Sequence, residues 1–202
     1  MASPLLLGVL VVLPWLLLIA SLYLAYRFPV KQDRYGHSWL EHVADRVYAY
    51  LRLLSSPARA RANARLSVEE IDRLIDAAGA RHAVDPALIR AVVTYESGHL
   101  ANTITTTGAM GLMALMPRTA RSLGVRDPFD PAANLDGGAR LLVELMTRFD
   151  GQLDLVLAGY NAGEPAVRRA KGVPPHRETQ DYVRHVRRLL EMYRAGRPPN
   201  PS

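Results

Sequence analysis

The sequence predicts an all-α, mainly helical domain that follows one transmembrane helix. Three observations support this fold class. Residues 5–26 contain no charged side chain, and the segments after residue 38 repeat apolar side chains at helical spacing. No stretch of residues 66–202 alternates between apolar and polar side chains as a half-buried strand would. The 202 residues are enough for one membrane segment and one domain of ordinary size.

The uncharged segment is predicted to be a membrane anchor over residues 1–27. A helix over residues 5–26 would be about 33 Å long at about 1.5 Å per residue, which is enough to cross the hydrocarbon core. Pro14 would kink this helix without preventing it. A cleaved signal peptide is the alternative, but no Lys or Arg precedes the apolar run and no small-residue cleavage site follows it.

Positive charge is concentrated just after the anchor. Residues 27–65 contain eight Lys and Arg against three Asp and Glu, whereas residues 66–202 contain seventeen against sixteen. This distribution argues against a nucleic-acid-binding domain and suits contact with anionic lipid head groups. The chain has no cysteine and its six histidines lack metal-ligand spacing, so we expect neither a metal nor a cofactor.

Residues 28–65 are predicted to form a basic juxtamembrane helix and a linker. The helix begins at Ser38, with Glu41 in the capping-box position. Its apolar stripe consists of Leu40, Val43, Val47, Leu51 and Leu54. A stalk or an interfacial helix is the expected role. Residues 55–65 read as a linker because of their Ser, Pro and charge content.

Capping residues place the first two helices of the domain. Ser67 and Glu70 form a capping box that begins one helix, which ends near residues 79–82. Asp85 and Pro86 begin the next helix as N-cap and first helical residue. Gly98 ends that helix, since glycine adopts the left-handed cap conformation without strain.

Later helices are predicted from apolar spacing and turn residues. Pro117 opens a short helix that stops at Gly124, and a Pro-rich turn follows at residues 127–131. The remaining predicted helices cover residues 134–149, 155–161 and 179–194. The domain as a whole is predicted at residues 66–195, and residues 196–202 form a Pro-rich tail.

Glu96 is the carboxyl that this pattern singles out. Ile89, Val92 and Val93 form the apolar stripe of its helix, and Glu96 lies on the same stripe in the last turn. Burial and the negative end of the helix dipole both raise the pKa of a carboxyl at that position. A general acid needs to be protonated near neutral pH. A solvated or salt-bridged glutamate is the alternative.

Several motifs in addition to Glu96 resemble the catalytic domain of the soluble lytic transglycosylases. In chain order they are Glu96-Ser97, Gly108-Ala109-x-Gly111-Leu112-Met113, Leu115-Met116-Pro117-x-Thr119-Ala120, the 127–131 turn with Asn134 and Gly138-Ala139-Arg140, Ala158-Gly159-Tyr160-Asn161-Ala162-Gly163, and Pro174-Pro175 with Glu178-Thr179-x-x-Tyr182-Val183. Each block alone is weak evidence, but all of them occur in order over about residues 66–193. The resemblance implies a lysozyme-like helical fold with a cleft.

The resemblance also implies a reaction, the non-hydrolytic cleavage of the MurNAc–GlcNAc β-1,4 bond in peptidoglycan. Glu96 would first protonate the glycosidic oxygen. It would then take a proton from the C6 hydroxyl of MurNAc, which closes onto C1 and leaves a 1,6-anhydro end. Most glycosidases need two carboxylates, but here the sugar supplies the nucleophile. No Asp is an obvious second partner by sequence.

The resemblance assigns substrate contacts to seven further residues: Ser97, Met113, Ala114, Met116, Tyr160, Asn161 and Glu178. Core packing is the alternative for the two methionines, and capping of the last helix is the alternative for Glu178. Ala114 departs from the family pattern, in which glutamine follows Gly-Leu-Met. One polar contact to the sugar is therefore missing, and we expect weaker binding but persistent activity.

The implied setting is the inner (cytoplasmic) membrane, crossed once, with the catalytic domain in the periplasm and peptidoglycan glycan strands as partner. Local wall opening for a secretion or conjugation apparatus is a further expectation. Arg27, Lys31 and Arg34 follow the apolar segment, and the positive-inside tendency would place them in the cytoplasm. Access to peptidoglycan requires the opposite orientation. A hydrolysing lysozyme and a non-catalytic peptidoglycan-binding scaffold are the alternative functions.

Overall fold

The helices of the computed structural model agree with the all-α prediction. The structure describes residues 39–56 and 66–197. Their helices are α1 (Trp39–Ser55), α2 (Val68–His82), α3 (Pro86–Ser97), α4 (Pro117–Ser122), α5 (Pro131–Arg148), α6 (Leu153–Ala162), α7 (Glu164–Ala170) and α8 (Arg177–Arg194). No extended strand occurs among these residues, which contain only two isolated bridges, Ile104 with Met110 and Met110 with Leu115.

The predicted helix caps of α2 and α3 are confirmed. The Ser67 hydroxyl accepts from the Glu70 N–H at 3.2 Å, and the Glu70 carboxylate accepts from the Ser67 N–H at 2.8 Å. Asp85 accepts from the Ala87 N–H at 2.8 Å, and Gly98 ends α3 with φ 55°. These contacts satisfy backbone groups that a helix end otherwise leaves unpaired.

Two helix predictions were incomplete. We predicted that α5 starts at residue 134, but it starts at Pro131. The Asp130 carboxylate accepts from the Ala133 N–H at 2.9 Å, so the proline turn itself forms the cap and first helical residue. The seven-residue helix α7 was not predicted, because fewer than two turns show no usable periodicity. An ion pair between Glu164 and Arg168 spans it.

The core is built around α3, which packs against α2 and α8. Helix α8 also packs against α6, and α5 packs against both α2 and α6. The shared interior contains fully buried residues from all five helices, including Ile75, Ile89, Val92, Leu142, Leu157 and Val186. This arrangement encloses the apolar stripe of α3 and places its last turn beside α8.

The chain divides into two units, Met1–Ala44 and Asp45–Ser202. The described part of the first unit is residues 39–44, where α1 begins. In the second unit, the remainder of α1 packs on the helical domain. Ala49 is fully buried with Met110 and Phe129, and the Ser56 hydroxyl donates to Asp127 at 2.6 Å. The predicted domain start at residue 66 stays a prediction, although residues 45–56 belong to the same compact unit.

The predicted anchor over residues 1–27 lies outside the described residues. Among the helices that the structure describes, none is long and apolar enough to cross a membrane. The transmembrane part of the fold prediction therefore stays a prediction.

Candidate active site

Glu96 occupies the last turn of α3, as predicted, with its helix enclosed by the core. Ile89, Val92 and Val93 on the same stripe have no solvent exposure, while the Glu96 side chain keeps partial exposure. Burial raises the pKa of Glu96 to about 7. A smaller effect acts in the opposite direction, because the interaction with Tyr182 lowers this pKa. The raised pKa expected from the sequence is confirmed, and its main physical cause is the loss of water around the carboxyl.

Tyr182 of α8 is a polar neighbour of the Glu96 carboxyl. Its side chain is fully buried, and its hydroxyl contacts Glu96. Within the described residues this hydroxyl has no fully formed hydrogen bond, and its interaction with Glu96 is seen in the pKa values of both groups. Burial, followed by the Glu96 charge, raises the pKa of Tyr182 well above its ordinary value. Tyr182 therefore stays protonated and acts as a donor towards the carboxylate.

Tyr160, near the end of α6, also lies close enough to the same carboxyl to feel its charge. Burial, followed by the charge of Glu96, raises its pKa well above the ordinary value. Its hydroxyl donates to the Met113 carbonyl at 2.7 Å. Tyr160 therefore lies near Glu96, and its own hydrogen bond holds the loop that contains Met113.

Asn161 follows Tyr160 and presents an unused acceptor. Its side-chain oxygen is buried and has no hydrogen-bond partner among the described residues. A buried polar atom without a partner costs free energy, and such atoms in a native protein call for an explanation. A donor on a bound ligand is one group that would satisfy it.

The loop before α4 is held by Asn134 from α5. The Asn134 side-chain oxygen accepts from the Met113 N–H at 2.8 Å, and its amide donates to the carbonyls of Met110 at 2.9 Å and Pro128 at 2.8 Å. Gly111 has φ 79°, and a Cβ there would lie 2.3 Å from the Asn134 amide nitrogen. Glycine is thus required at this position for conformation and for space.

The structure separates the predicted substrate contacts into side chains that are partly exposed and side chains that are not. Met113 is fully buried, and its side chain fills the space beside Gly138. A Cβ atom at position 138 would clash with the Met113 sulfur. Met113 is therefore part of the core. Ser97 is buried as well, and its hydroxyl donates to the Val93 carbonyl at 3.0 Å. For both residues, packing explains the position without a substrate.

Ala114, Met116 and Glu178 retain exposure. Ala114 has φ 48°, which is uncommon for a residue with a side chain, and it is partly exposed together with Met116. Glu178 is exposed in the first turn of α8, where the helix dipole favours an acid. It lies close enough to the site for its charge to raise the pKa of Tyr95, after burial and the charge of Glu96.

Tyr182 and Tyr95 are the site residues to which the sequence analysis assigned no role. The rings of Tyr95 and Tyr182 meet edge to face at a centroid distance of 4.8 Å, and Tyr95 is 41% exposed beside Glu96. The available signal for Tyr182 was its position four residues before Val186 on the buried face of α8. That spacing predicts burial, but not contact with Glu96.

The three aspartates that precede Glu96 in the domain form ion pairs elsewhere. Asp72 and Asp76 each accept from Arg90 at 2.6 Å, and Asp85 accepts from Arg194 at 2.8 Å. In the described ranges, no group of three or more His, Asp or Glu side chains is arranged to hold a metal ion. The site offers a protonatable carboxyl, Glu96, beside the hydroxyls of Tyr160 and Tyr182.

Comparison with known families agrees with this geometry. A family model described as "Transglycosylase SLT domain" matches residues 73–183, more than half of the chain. The chain belongs to this family. The SLT match contains Glu96, Asn134, Tyr160 and Tyr182, so the whole constellation described above lies within the family region.

Curated relatives match part of this SLT domain protein. A protein named "Transglycosylase" from Enterobacteria phage PRD1 is 46% identical over 89 residues, covering 44% of this chain and 33% of the phage protein. "Membrane-bound lytic murein transglycosylase F" from Desulfosudis oleivorans is 38% identical over 106 residues, covering 50% of this chain and 23% of that protein. The match thus spans a third or less of each relative's length.

Solved structures share the fold of the SLT domain. The 70 kDa soluble lytic transglycosylase from Escherichia coli aligns with TM-score 0.58 and 20% identity, covering 80% of this chain and 31% of that one. A complex of the 70 kDa soluble lytic transglycosylase with bulgecin A aligns with TM-score 0.57 and 23% identity, covering 64% and 25%. At these identities the likeness shows the fold alone, and the lysozyme-like helical prediction is confirmed.

Proposed function

We propose that this chain is a membrane-anchored lytic transglycosylase that cleaves the MurNAc–GlcNAc β-1,4 bond of peptidoglycan. The observation that carries the proposal is the state of Glu96, whose pKa is raised by burial to about 7. A carboxyl with a pKa near neutrality exchanges a proton readily in both directions. Membership of the SLT family and the names of the murein transglycosylase relatives supply the substrate class.

In the proposed mechanism Glu96 acts twice. Its proton passes to the glycosidic oxygen as the C1–O bond breaks, and GlcNAc leaves with a free hydroxyl. The resulting carboxylate takes the proton of the MurNAc C6 hydroxyl, and O6 forms the new bond to C1. Glu96 is protonated again, and no water is consumed. The ion pairs that occupy Asp72, Asp76 and Asp85 support a mechanism with one carboxyl.

The neighbours of Glu96 have separate roles in this proposal. The Tyr182 hydroxyl stabilises the carboxylate between the two steps, since its contact lowers the Glu96 pKa. The unpartnered oxygen of Asn161 accepts from a sugar hydroxyl or from the N-acetyl N–H. The partial exposure of Ala114 and Met116 and the exposure of Glu178 support a role for these three side chains in contacting the glycan strand. Ser97 and Met113 support the site through packing.

The proposed setting is the inner membrane, crossed once by residues 1–27, with the SLT domain in the periplasm. The uncharged run over residues 5–26 and the relatives named membrane-bound transglycosylases support it. Peptidoglycan lies on that side of the membrane, which outweighs the charge bias of residues 27–34. Service to a secretion or conjugation apparatus stays a prediction.

Mass spectrometry of digested sacculi tests the reaction. A lytic transglycosylase releases muropeptides with 1,6-anhydro ends, which are lighter by one water than the reducing ends left by a lysozyme. Reducing ends would assign the chain to the hydrolases. Binding of the chain to sacculi without any released fragment would assign it to the non-catalytic scaffolds.

Restoring a polar side chain at Ala114 is expected to improve substrate use. Ala114→Gln should raise kcat/KM about 2- to 10-fold through a lower KM, because one neutral hydrogen bond contributes about 0.5–1.5 kcal/mol. Initial rates on purified glycan strands measure this effect. Ala114→Met, which matches glutamine in size but lacks the amide, serves as control and should show no such gain. An inactive wild type beside an active Ala114→Gln variant would contradict our expectation of persistent activity.

Removing the Tyr182 hydroxyl is expected to shift the pH profile. The Tyr182 contact lowers the pKa of Glu96, so Tyr182→Phe raises it further above about 7. Protonated Glu96 then persists to higher pH, and the alkaline limb of kcat/KM should move up by about 0.5–1 pH unit. Tyr193→Phe is the matched control, because the Tyr193 hydroxyl bonds Thr94 at 2.7 Å instead. An unmoved limb, or one moved to lower pH, would refute the role of Tyr182.

A further inference from the structure

Helix α1 presents an apolar stripe that the domain leaves uncovered. Val47, Tyr50, Leu51 and Leu54 are 43%, 53%, 54% and 58% exposed. They follow the spacing i, i+3, i+4 and i+7, which places them on one face of the helix. Seven large hydrophobic side chains are exposed in the described ranges, and four of them lie together on this face of α1. We call these four residues the α1 stripe.

The opposite face of α1 is held firmly by the domain. Ala49 has no exposure and packs with Met110 and Phe129. Arg52 donates to the Arg126 carbonyl and pairs with Asp127 at 3.8 Å. Because these contacts use the inner face of the helix, the orientation of the α1 stripe is fixed relative to the SLT domain. Intramolecular packing therefore accounts for the inner face of α1, but not for its apolar outer face.

The charge pattern around the stripe favours an anionic partner. Residues 41–65 contain five arginines, Arg46, Arg52, Arg59, Arg61 and Arg65, against the two acids Glu41 and Asp45. Arg52 pairs with Asp127 on the inner face of α1, and the four other arginines still outnumber the two acids. Two copies of such a segment would repel each other when paired through their stripes. Anionic lipid head groups would instead attract the segment, at about 1 kcal/mol for each basic residue near the surface.

Chain connectivity keeps α1 close to the proposed bilayer. Residues 27–38 separate the uncharged run at 5–26 from the start of α1. Twelve residues span at most about 40 Å when fully extended. An amphipathic helix with an aromatic residue on its apolar face, flanked by arginines, has the composition of an interfacial helix. Tyr50 on the stripe carries the apolar ring and polar hydroxyl that suit the head-group region.

We propose that the α1 stripe docks the SLT domain on the anionic surface of the bilayer that holds the anchor. This proposal rests on the membrane anchoring proposed above. The stripe inserts its apolar side chains among the acyl chains near the head groups, and the flanking arginines contact phosphate. Since the inner face of α1 is packed on the domain, docking sets the direction in which the domain faces away from the membrane.

Lipid-borne quenchers test the docking on the full chain. The protein has no cysteine, so single cysteines at Leu51 and Leu54 accept an environment-sensitive fluorophore without other labelling. The labelled chain is placed in nanodiscs of phosphatidylcholine and phosphatidylglycerol that contain doxyl-labelled lipid. Glu69→Cys and Gln152→Cys, at exposed positions outside α1, are the controls. We expect quenching at the two stripe positions at least about twofold above the controls.

A second variant separates the stripe from the anchor. With a reporter at Val47→Cys, the further changes Leu51→Glu and Leu54→Glu should reduce quenching to the control level while the chain still co-elutes with the discs. Nanodiscs of phosphatidylcholine alone should give weaker quenching at Leu51→Cys, because they lack the anionic charge that the arginines contact.

Three results would overturn the docking, and they differ in what else they affect. Co-elution with the discs together with control-level quenching at the stripe overturns the docking alone. A chain that elutes apart from the discs overturns both the anchoring and the docking. A disulfide between two Leu51→Cys copies, without lipid quenching, assigns the stripe to a second copy. Release of anhydro-muropeptides by the same samples reports separately on the proposed reaction.

Discussion

Glu96→Gln is expected to abolish the release of anhydro-muropeptides, with a loss of about a thousandfold or more in rate. The glutamine amide can neither give a proton to the glycosidic oxygen nor take one from the C6 hydroxyl. Mass spectrometry of sacculus digests measures the loss. Glu144→Gln, an exposed position on α5, is the control and should retain activity. Residual turnover of Glu96→Gln close to the wild-type rate would exclude Glu96 as the catalytic carboxyl.

The same substitution is expected to stabilise the protein at alkaline pH. The pKa of Glu96 is about 7 in the folded state against an ordinary value of 4.5, so the folded protein holds this proton more tightly than the unfolded chain does. Below pH 4.5 both states are protonated and the buried carboxyl costs nothing. The cost grows between the two pKa values and is complete above about pH 7, where it reaches at most about 3 kcal/mol.

Urea denaturation at pH 4 and pH 8 separates this charge effect from packing. Glu96→Gln should raise the free energy of unfolding at pH 8 by about 2–3 kcal/mol and leave it nearly unchanged at pH 4. An equal gain at both pH values would indicate that the amide merely packs better. Opposite changes in activity and stability are typical of a residue retained for function at a cost in stability.

Asn134→Ala is expected to lower the free energy of unfolding by about 3–4 kcal/mol. The substitution removes three buried hydrogen bonds and leaves the Met113 N–H and the Pro128 carbonyl without a partner. The Met110 carbonyl keeps its bond from the Leu115 N–H at 2.9 Å. Each buried group left unsatisfied costs about 1–3 kcal/mol, and partial relaxation reduces the sum. Thermal and urea unfolding measure the change, and Gln152→Ala, an exposed amide, should be nearly neutral.

Hydrogen exchange makes the Asn134 prediction specific to the loop. The Met113 N–H should lose protection in Asn134→Ala well before the amides of α3, because its acceptor is gone. Activity should fall as well, since the Met113 carbonyl holds the Tyr160 hydroxyl at 2.7 Å. A Met113 amide that stays protected, with less than about 1 kcal/mol of lost stability, would show that the loop does not depend on Asn134.

Local features of the sequence were sufficient for several elements. The Ser67–Glu70 capping box and the Asp85–Pro86 start of α3 involve neighbours in the chain, so residue order alone predicts them. The prediction for α5 was less complete, because the Pro-rich turn before it reads equally well as a loop. Its role as a cap depends on the Asp130 side chain bonding the Ala133 N–H.

The roles of Met113 and Tyr182 required contacts between distant parts of the chain. Met113 was assigned a substrate contact with core packing as the alternative, and Gly138 of α5 provides the space that its side chain fills. Tyr182 is one of several apolar or aromatic residues on the buried face of α8 by sequence. Only the packing of α8 against α3 shows that its hydroxyl reaches the Glu96 carboxyl.

By itself, the sequence determined the helical class, the position of Glu96 on an apolar stripe, and the family to which its motifs point. These features could be read from the sequence because helix caps and apolar periodicity depend on residues close in the chain, and the family motifs depend on residue order. The tertiary structure alone decided which groups surround Glu96, why Asn134 holds the loop, and which face of α1 is left open. Those outcomes follow from packing between helices that are far apart in the chain, and no local pattern encodes such distances.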